Sequence, residues 1–200
     1  MPINIENLQK SFGDQQVLKN FNHTFADGKI YCLFGPSGCG KTTLLHIMTG
    51  ILPFDRGTIT GLENKKIAVV FQEDRLLPWL TAEENIEFVL ADKKHRGETH
   101  LSPGDYLDIV GLREFKEYLP HRLSGGMARR VALARAFAYQ GQILLLDEPF
   151  KGIDDATKEN IMDFMLQNKE NNKEQIIIFT THNLEEAAYL AHETVKFAKE

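Results

Sequence analysis

Two hundred residues, 42% of them hydrophobic, fit one sizeable domain with a real core and space for an inserted subdomain. A formal net charge of −5 excludes the global basic footprint of a nucleic-acid binder. No run approaches the ~20 apolar residues of a membrane helix. The N-terminal MPINIENLQKSFG lacks a secretory pattern, and Cys32 and Cys39 form no metal spacing, so the expectation is a soluble chain in a reducing, cytoplasmic compartment.

Ile3 to Leu8 alternates apolar and polar residues as a half-buried strand does, Gly13-Asp14 punctuates, and Val17 to Phe25 alternates again. Asp27-Gly28 is a turn signal, and Lys29 to Phe34 is a short apolar run entering a glycine-rich loop. Thr42 to Thr49 reads as a helix with Gly50 as its stop, followed by strands at Thr58–Thr60 and Lys66–Phe71. From about 75 to 140 the spacing turns helical, at Ala82–Leu90, at Pro103–Val110, and from an N-capping Ser124 to about Ala138. The basic run Lys93-Lys94-His95-Arg96 reads as a solvated face. Ile143–Leu146 suits a central parallel strand, Ala156–Asn168 a helix, Gln175–Thr180 a buried strand, Leu184–Ala191 a last helix, and Thr194–Phe197 a short strand. The fold class is α/β: a parallel sheet flanked by helices, an N-terminal antiparallel β portion and a helical insertion.

Gly35-Pro36-Ser37-Gly38-Cys39-Gly40-Lys41-Thr42 matches the phosphate-loop pattern G-x-x-x-x-G-K-[ST]. Its glycines let successive N–H groups turn toward one phosphate, and the following helix aims its positive end there. Lys41 suits the β- and γ-phosphates, and the Thr42 hydroxyl suits Mg²⁺. Cys39 is a filler position in the loop. Asp147 ends the Ile143–Leu146 run, where a carboxylate can hold Mg²⁺ directly or through water, and Glu148 can act as general base toward an attacking water. Alone, this acidic pair could also cap the next segment. Leu123-Ser124-Gly125-Gly126 is a second glycine pair opening a helix.

These residues resemble the ATP-binding cassette ATPases, the motor subunits of ABC transporters, from about Ile3 to His192. Gly35 to Thr43 matches the family's Walker A loop, Leu123 to Gly126 its signature, and Ile143 to Glu148 its Walker B with the catalytic glutamate. Gln72 matches the Q-loop, His182 the switch histidine and Asp154 the D-loop aspartate. Phe12 stands where the family stacks an aromatic on adenine. Taken alone, Gln72 reads as a polar strand end, His182 as a helix-start residue and Phe12 as core. There are two departures: Met127 stands where the signature usually carries Gln, and Lys151-Gly152-Ile153 is an unusual approach to Asp154.

The resemblance implies a P-loop NTPase core forming a single domain, 1–200, with a helical insertion at about 74–138. It implies ATP and Mg²⁺ as cofactors. It also implies a homodimer, or a paired ATPase subunit, with each ATP between one Walker A loop and the partner's Ser124, Gly125 and Gly126. His182 orients Glu148 and the water, and Gln72 senses the Mg²⁺–γ-phosphate. Phe71 to Trp79, then Leu80 to Asn85, looks like ATPases of the nitrate/sulfonate/taurine importer group. That implies membrane-spanning permease subunits, an extracytoplasmic solute-binding protein, no nucleic-acid partner, and a peripheral place on the cytoplasmic face of the bacterial inner membrane. Trp79 reads equally as a core tryptophan or as a docking residue for a membrane-subunit helix. The length after His182 leads us to expect no added regulatory domain. The competing readings are a cytosolic ABC-type ATPase acting on ribosomes or nucleic acid, and a degenerate nucleotide-binding module.

Overall fold

The computed structural model describes residues 1–95 and 101–198; the side chains of 92–95 lie outside the described residues, so the solvated face expected at Lys93–Arg96 does too. The strands are β1 (Ile3–Phe12), β2 (Gln15–Phe25), β3 (Ile30–Phe34), β4 (Arg56–Thr60), β5 (Ile67–Val70), β6 (Ile143–Leu146), β7 (Ile176–Thr181) and β8 (Glu193–Lys196). The helices are α1 (Lys41–Met48), α2 (Ala82–His95), α3 (Pro103–Ile109), α4 (Gly125–Tyr139), α5 (Asp155–Asn171) and α6 (Leu184–Leu190). The chain forms two compact units. The first comprises Met1–Val69, Gln142–Asp147 and Asn171–Glu200, and the second Val70–Gly141 and Glu148–Glu170.

The first unit carries both sheets. One is antiparallel, in the order β2-β1-β4; the other has the order β5-β6-β7-β3-β8, with β6–β7, β7–β3 and β3–β8 parallel. β1 continues past the expected Leu8 because a bulge resets its alternation. Asn7 takes a left-handed φ of 50°, and the buried positions change from Ile3 and Ile5 to Leu8 and Lys10. On β2, Asn20 (φ 46°) does the same between Leu18 and Phe25. Lys10 therefore occupies an inward position, and its Nζ meets Asp55 at 3.1 Å. Gly57 on β4 faces the Asn7 bulge so closely that a Cβ there would stand 2.6 Å from the Glu6 carbonyl oxygen.

β6 and β7 are buried along their whole length, as strands covered on both faces are. With β1, β2, β3 and α1 they supply one core, including Phe25, Tyr31, Leu44, Met48, Leu145 and Ile178. His23 joins this core edge-on to Phe25, with ring centroids 4.5 Å apart. Burial holds its imidazole below the ordinary value of 6.5; nearby Glu193 opposes that shift and Lys29 adds to it. A depressed imidazole leaves the unfolded chain binding more protons, so stability present above about pH 6.5 is lost as pH falls toward the depressed value. His23→Phe should remove that share: between pH 7 and 5 the variant should lose less Tm than the wild type, and an equal loss would overturn the assignment.

In the second unit, α2, α3 and α4 pack on one another through Ile86, Leu90, Tyr106, Leu107, Val131 and Leu133, all buried. Ser102 opens α3 in a capping box with Asp105, and Pro103 takes the first helical position. Asn85 is fully buried and satisfied: its Nδ2 donates to the Leu77, Leu80 and Thr81 carbonyls, and its Oδ1 accepts from the Leu77 N–H at 2.9 Å. This fixes the segment that carries Trp79. Trp79 is itself 71% exposed, which rules out the core reading. Among the described residues no helix is long and apolar enough to cross a membrane.

Candidate functional site

In the first unit the phosphate loop joins β3 to α1, at the edge of the sheet where β3, β6 and β7 all end. Ligand sites of open α/β sheets form at such an edge. Gly38 (φ 81°) and Gly40 (φ 103°) take conformations that L side chains rarely adopt, and Gly40 begins α1 with no side-chain cap. The first-turn N–H groups therefore have no side-chain cap from this position. Pro36, Ser37 and Gly38 form the exposed rim, while Gly35, Cys39 and Lys41 are buried beneath it. Gly35 has no room for a Cβ, which would strike the Phe197 carbonyl.

Lys41 is 6% exposed, and its Nζ spans the loop by donating to the carbonyls of Gly35 (2.7 Å) and Pro36 (2.9 Å). The next residue, Thr42, meets a buried carboxylate. Asp147, 3% exposed, accepts from Thr42 Oγ1 at 2.7 Å and from Thr180 Oγ1 at 2.6 Å. The Thr42 hydroxyl and the Asp147 carboxylate thus converge on one point from different elements, a hard oxygen pair suited to a divalent cation that keeps further ligands from phosphate and water. Thr43 follows on α1, half-buried. Thr180 was not singled out from the sequence; the available signal was a polar residue near the end of the apolar run Ile176–Phe179.

Next to the loop, a cleft of about 590 Å³ is lined by residues that include Gln16, Val17, Cys39 and Phe197. Phe12 ends β1 with half its surface exposed, so it is not a core residue. His182 follows β7 and is exposed. The helix after it is capped by Asn183, whose Oδ1 accepts from the Glu185 N–H at 2.7 Å, so His182 does not serve as the cap. Cys32 is fully buried, and burial pushes its thiol up to about 12, which leaves an inert core residue.

The second unit holds the remaining candidates. Ser124 caps α4, its Oγ accepting the Met127 N–H at 3.2 Å. Gly126 is required locally, because a Cβ there would come within 2.5 Å of the Gly152 carbonyl oxygen. Gly125 has no such neighbour within 4 Å among the described residues. The side chain of Met127 makes no part of the cap. Met127→Gln should therefore change turnover by no more than about fivefold, since a single hydrogen-bonding group is worth about 1 kcal/mol. A change of orders of magnitude in kcat would contradict this.

Gln72 is exposed, and its backbone is clamped. Arg129, 5% exposed on α4, donates to the Phe71 carbonyl at 2.5 Å and to the Gln72 carbonyl, and its Nε lies 3.0 Å from Asp74. Sequence reading missed this arginine; nothing in a helical pattern distinguishes a clamp from a surface charge. Arg129→Met leaves two carbonyls and a half-buried carboxylate without their partner, and should cost about 2–4 kcal/mol, or roughly 5–15 °C in Tm. A Tm within 2 °C of wild type would refute the clamp.

Glu148 takes a left-handed φ of 46°, rare for a non-glycine residue, and such strain gathers at functional sites. Lys151 Nζ lies 3.3 Å from its Oε2. Asp154 accepts the Thr157 N–H at 2.9 Å, which holds its carboxyl below the usual range, and so serves at least as the cap of α5.

Comparison with known proteins matches residues 18–151 to the ABC transporter family. The aliphatic sulfonates import ATP-binding protein SsuB 1 of Pseudomonas savastanoi pv. phaseolicola is 40% identical over 194 residues, spanning 96% of this chain and 79% of that protein. SsuB of Bacillus cereus (strain ATCC 10987 / NRS 248) is 38% identical over 208 residues, spanning 98% and 80%. A solved dimeric ATP-binding cassette, in a post-hydrolysis state bound to ADP and Pi, superposes with a TM-score of 0.84 at 28% identity, covering 98% of this chain and 94% of that one. With its phosphate loop, its hydroxyl–carboxylate pair and a family match across most of its length, the chain belongs to the ABC transporter family.

Proposed function

We infer that the protein is the ATP-binding and ATP-hydrolysing subunit of an ABC importer, a single ATPase domain with a helical insertion at about 74–138. The observation that carries this reading is the Thr42–Asp147–Thr180 hydroxyl–carboxylate set beside Lys41. Gly35, Ser37, Gly38, Cys39, Gly40 and Thr43 wrap the β-phosphate with backbone N–H groups, Pro36, which has no N–H, shapes the turn, and Lys41 turns its ammonium to the β- and γ-phosphates. Thr42 and Asp147, with Gln72, would hold Mg²⁺, which would supply charge neutralisation at the phosphates. Phe12 offers its half-exposed ring to the adenine. Glu148 accepts the proton of the water that attacks the γ-phosphorus; the bond to the β–γ bridging oxygen breaks, and ADP and phosphate leave. His182 orients that water.

Gly125 supports the dimeric reading. Among the described residues nothing stands within 4 Å of where a Gly125 Cβ would be, so this helix start is open to a second copy. Ser124, Gly125 and Gly126 of one copy cover the γ-phosphate held by the other, and Asp154 lies at that contact. ATP then stabilises the closed pair and hydrolysis releases it. Exposed Trp79 and Phe88, both in the second unit, offer apolar surface to a membrane-spanning permease. The sulfonate-importer relatives support an aliphatic sulfonate as solute, with an extracytoplasmic binding protein delivering it and this subunit peripheral on the cytoplasmic face.

The purified protein should release phosphate from ATP in a Mg²⁺-dependent way. With its permease in proteoliposomes, it should drive ATP-dependent uptake of an alkanesulfonate. No phosphate release from either preparation would overturn the assignment.

A further inference from the structure

Lys151, one of the two departures noted in the sequence, has no role in the reaction just described. Its backbone is nevertheless held in place. The Lys151 N–H donates to the Glu148 carbonyl at 3.2 Å, closing a turn that begins at the strained Glu148 backbone. Phe150 on one side of it and Ile153 beyond it are buried and anchor the turn, while the Lys151 side chain is 60% exposed. From there its Nζ reaches back to Glu148 Oε2 at 3.3 Å, and the Glu148 side chain is itself only 17% exposed.

We propose that Lys151 is a positioning residue that restrains ATP hydrolysis by holding the Glu148 carboxylate as an ion pair. This rests on Glu148 being the general base. A base must offer a lone pair to the attacking water, and an ammonium paired with Oε2 competes for that oxygen. Each turnover must therefore first loosen the pair. Because the lysine is largely in solvent, the hold is weak and sensitive to salt, a brake on the rate rather than a block.

The test is steady-state hydrolysis by the full chain at low and high salt. Lys151→Ala should raise kcat about two- to fivefold at low salt, the range expected for loss of an exposed ion pair, with KM for ATP unchanged. Lys151→Arg should restore the wild-type rate, because it keeps the charge and a donor. Raising ionic strength should speed the wild type and leave Lys151→Ala where it was, so the two converge. A kcat for Lys151→Ala equal to or below wild type at low salt overturns the proposal. Glu148→Gln separates the two ideas. If it is inactive while Lys151→Ala gains nothing, only the restraint fails. If it still turns over, the assignment of the base fails.

Discussion

Lys41→Ala is expected to cut ATP hydrolysis by at least about a hundredfold, the cost of removing one preorganised donor from a phosphoryl-transfer site. The side chain is buried with its ammonium on the Gly35 and Pro36 carbonyls, so it already lies within the loop and need only turn toward the phosphates. No other lysine or arginine is bonded to these two carbonyls among the described residues. The variant should also lose affinity for ATP, read as a smaller ligand-induced rise in Tm. Rate and Tm shift should fall together, because the same ammonium meets the β- and γ-phosphates before and during transfer. Unchanged turnover would sink the phosphate role of the loop. Preserved turnover with a lost Tm shift would confine Lys41 to ground-state binding.

The legible parts of this molecule are those in which local chemistry leaves one solution. Ile143–Leu146 could be read residue for residue, because four apolar positions ending at an acid are too short for a helix of their own and suit a buried strand. The phosphate loop was legible because its glycines answer a backbone demand that the φ angles of Gly38 and Gly40 display. The β1 boundary was not, since Asn7 resets the alternation and a period of two cannot be followed across a bulge. Long-range partners were hidden for a related reason. Thr180 reaches Asp147 from 33 residues away and Arg129 reaches Phe71 from 58, and neither distance leaves a local pattern. Trp79 carried a core reading that only burial could test, and its exposure removes it. Lys151 was visible as an oddity, but its partner was not, because the left-handed turn at Glu148 brings the two together.

Glu148→Gln is expected to abolish hydrolysis while sparing ATP binding, and so to trap the nucleotide-bound dimer. The amide keeps the shape and polarity of the carboxylate and can still sit on the φ of 46° that the turn imposes. It cannot accept a proton from water, and losing a general base costs about 10²–10⁴ in rate. Lys41, Thr42 and Asp147 are untouched, so affinity for ATP should hold. The consequence for assembly follows from linkage. If ATP bound between the phosphate loop of one copy and Ser124–Gly126 of the other stabilises the pair, blocking its loss leaves the pair populated. Light scattering on the eluting variant should then give twice the chain mass at saturating ATP, and the chain mass with ADP. A monomer at saturating ATP would contradict the clamp and return Gly125 to an ordinary helix start. A dimer that forms equally with ADP would show that the contact does not read the γ-phosphate. Hydrolysis could not then open it, and the coupling of this site to transport would need another route.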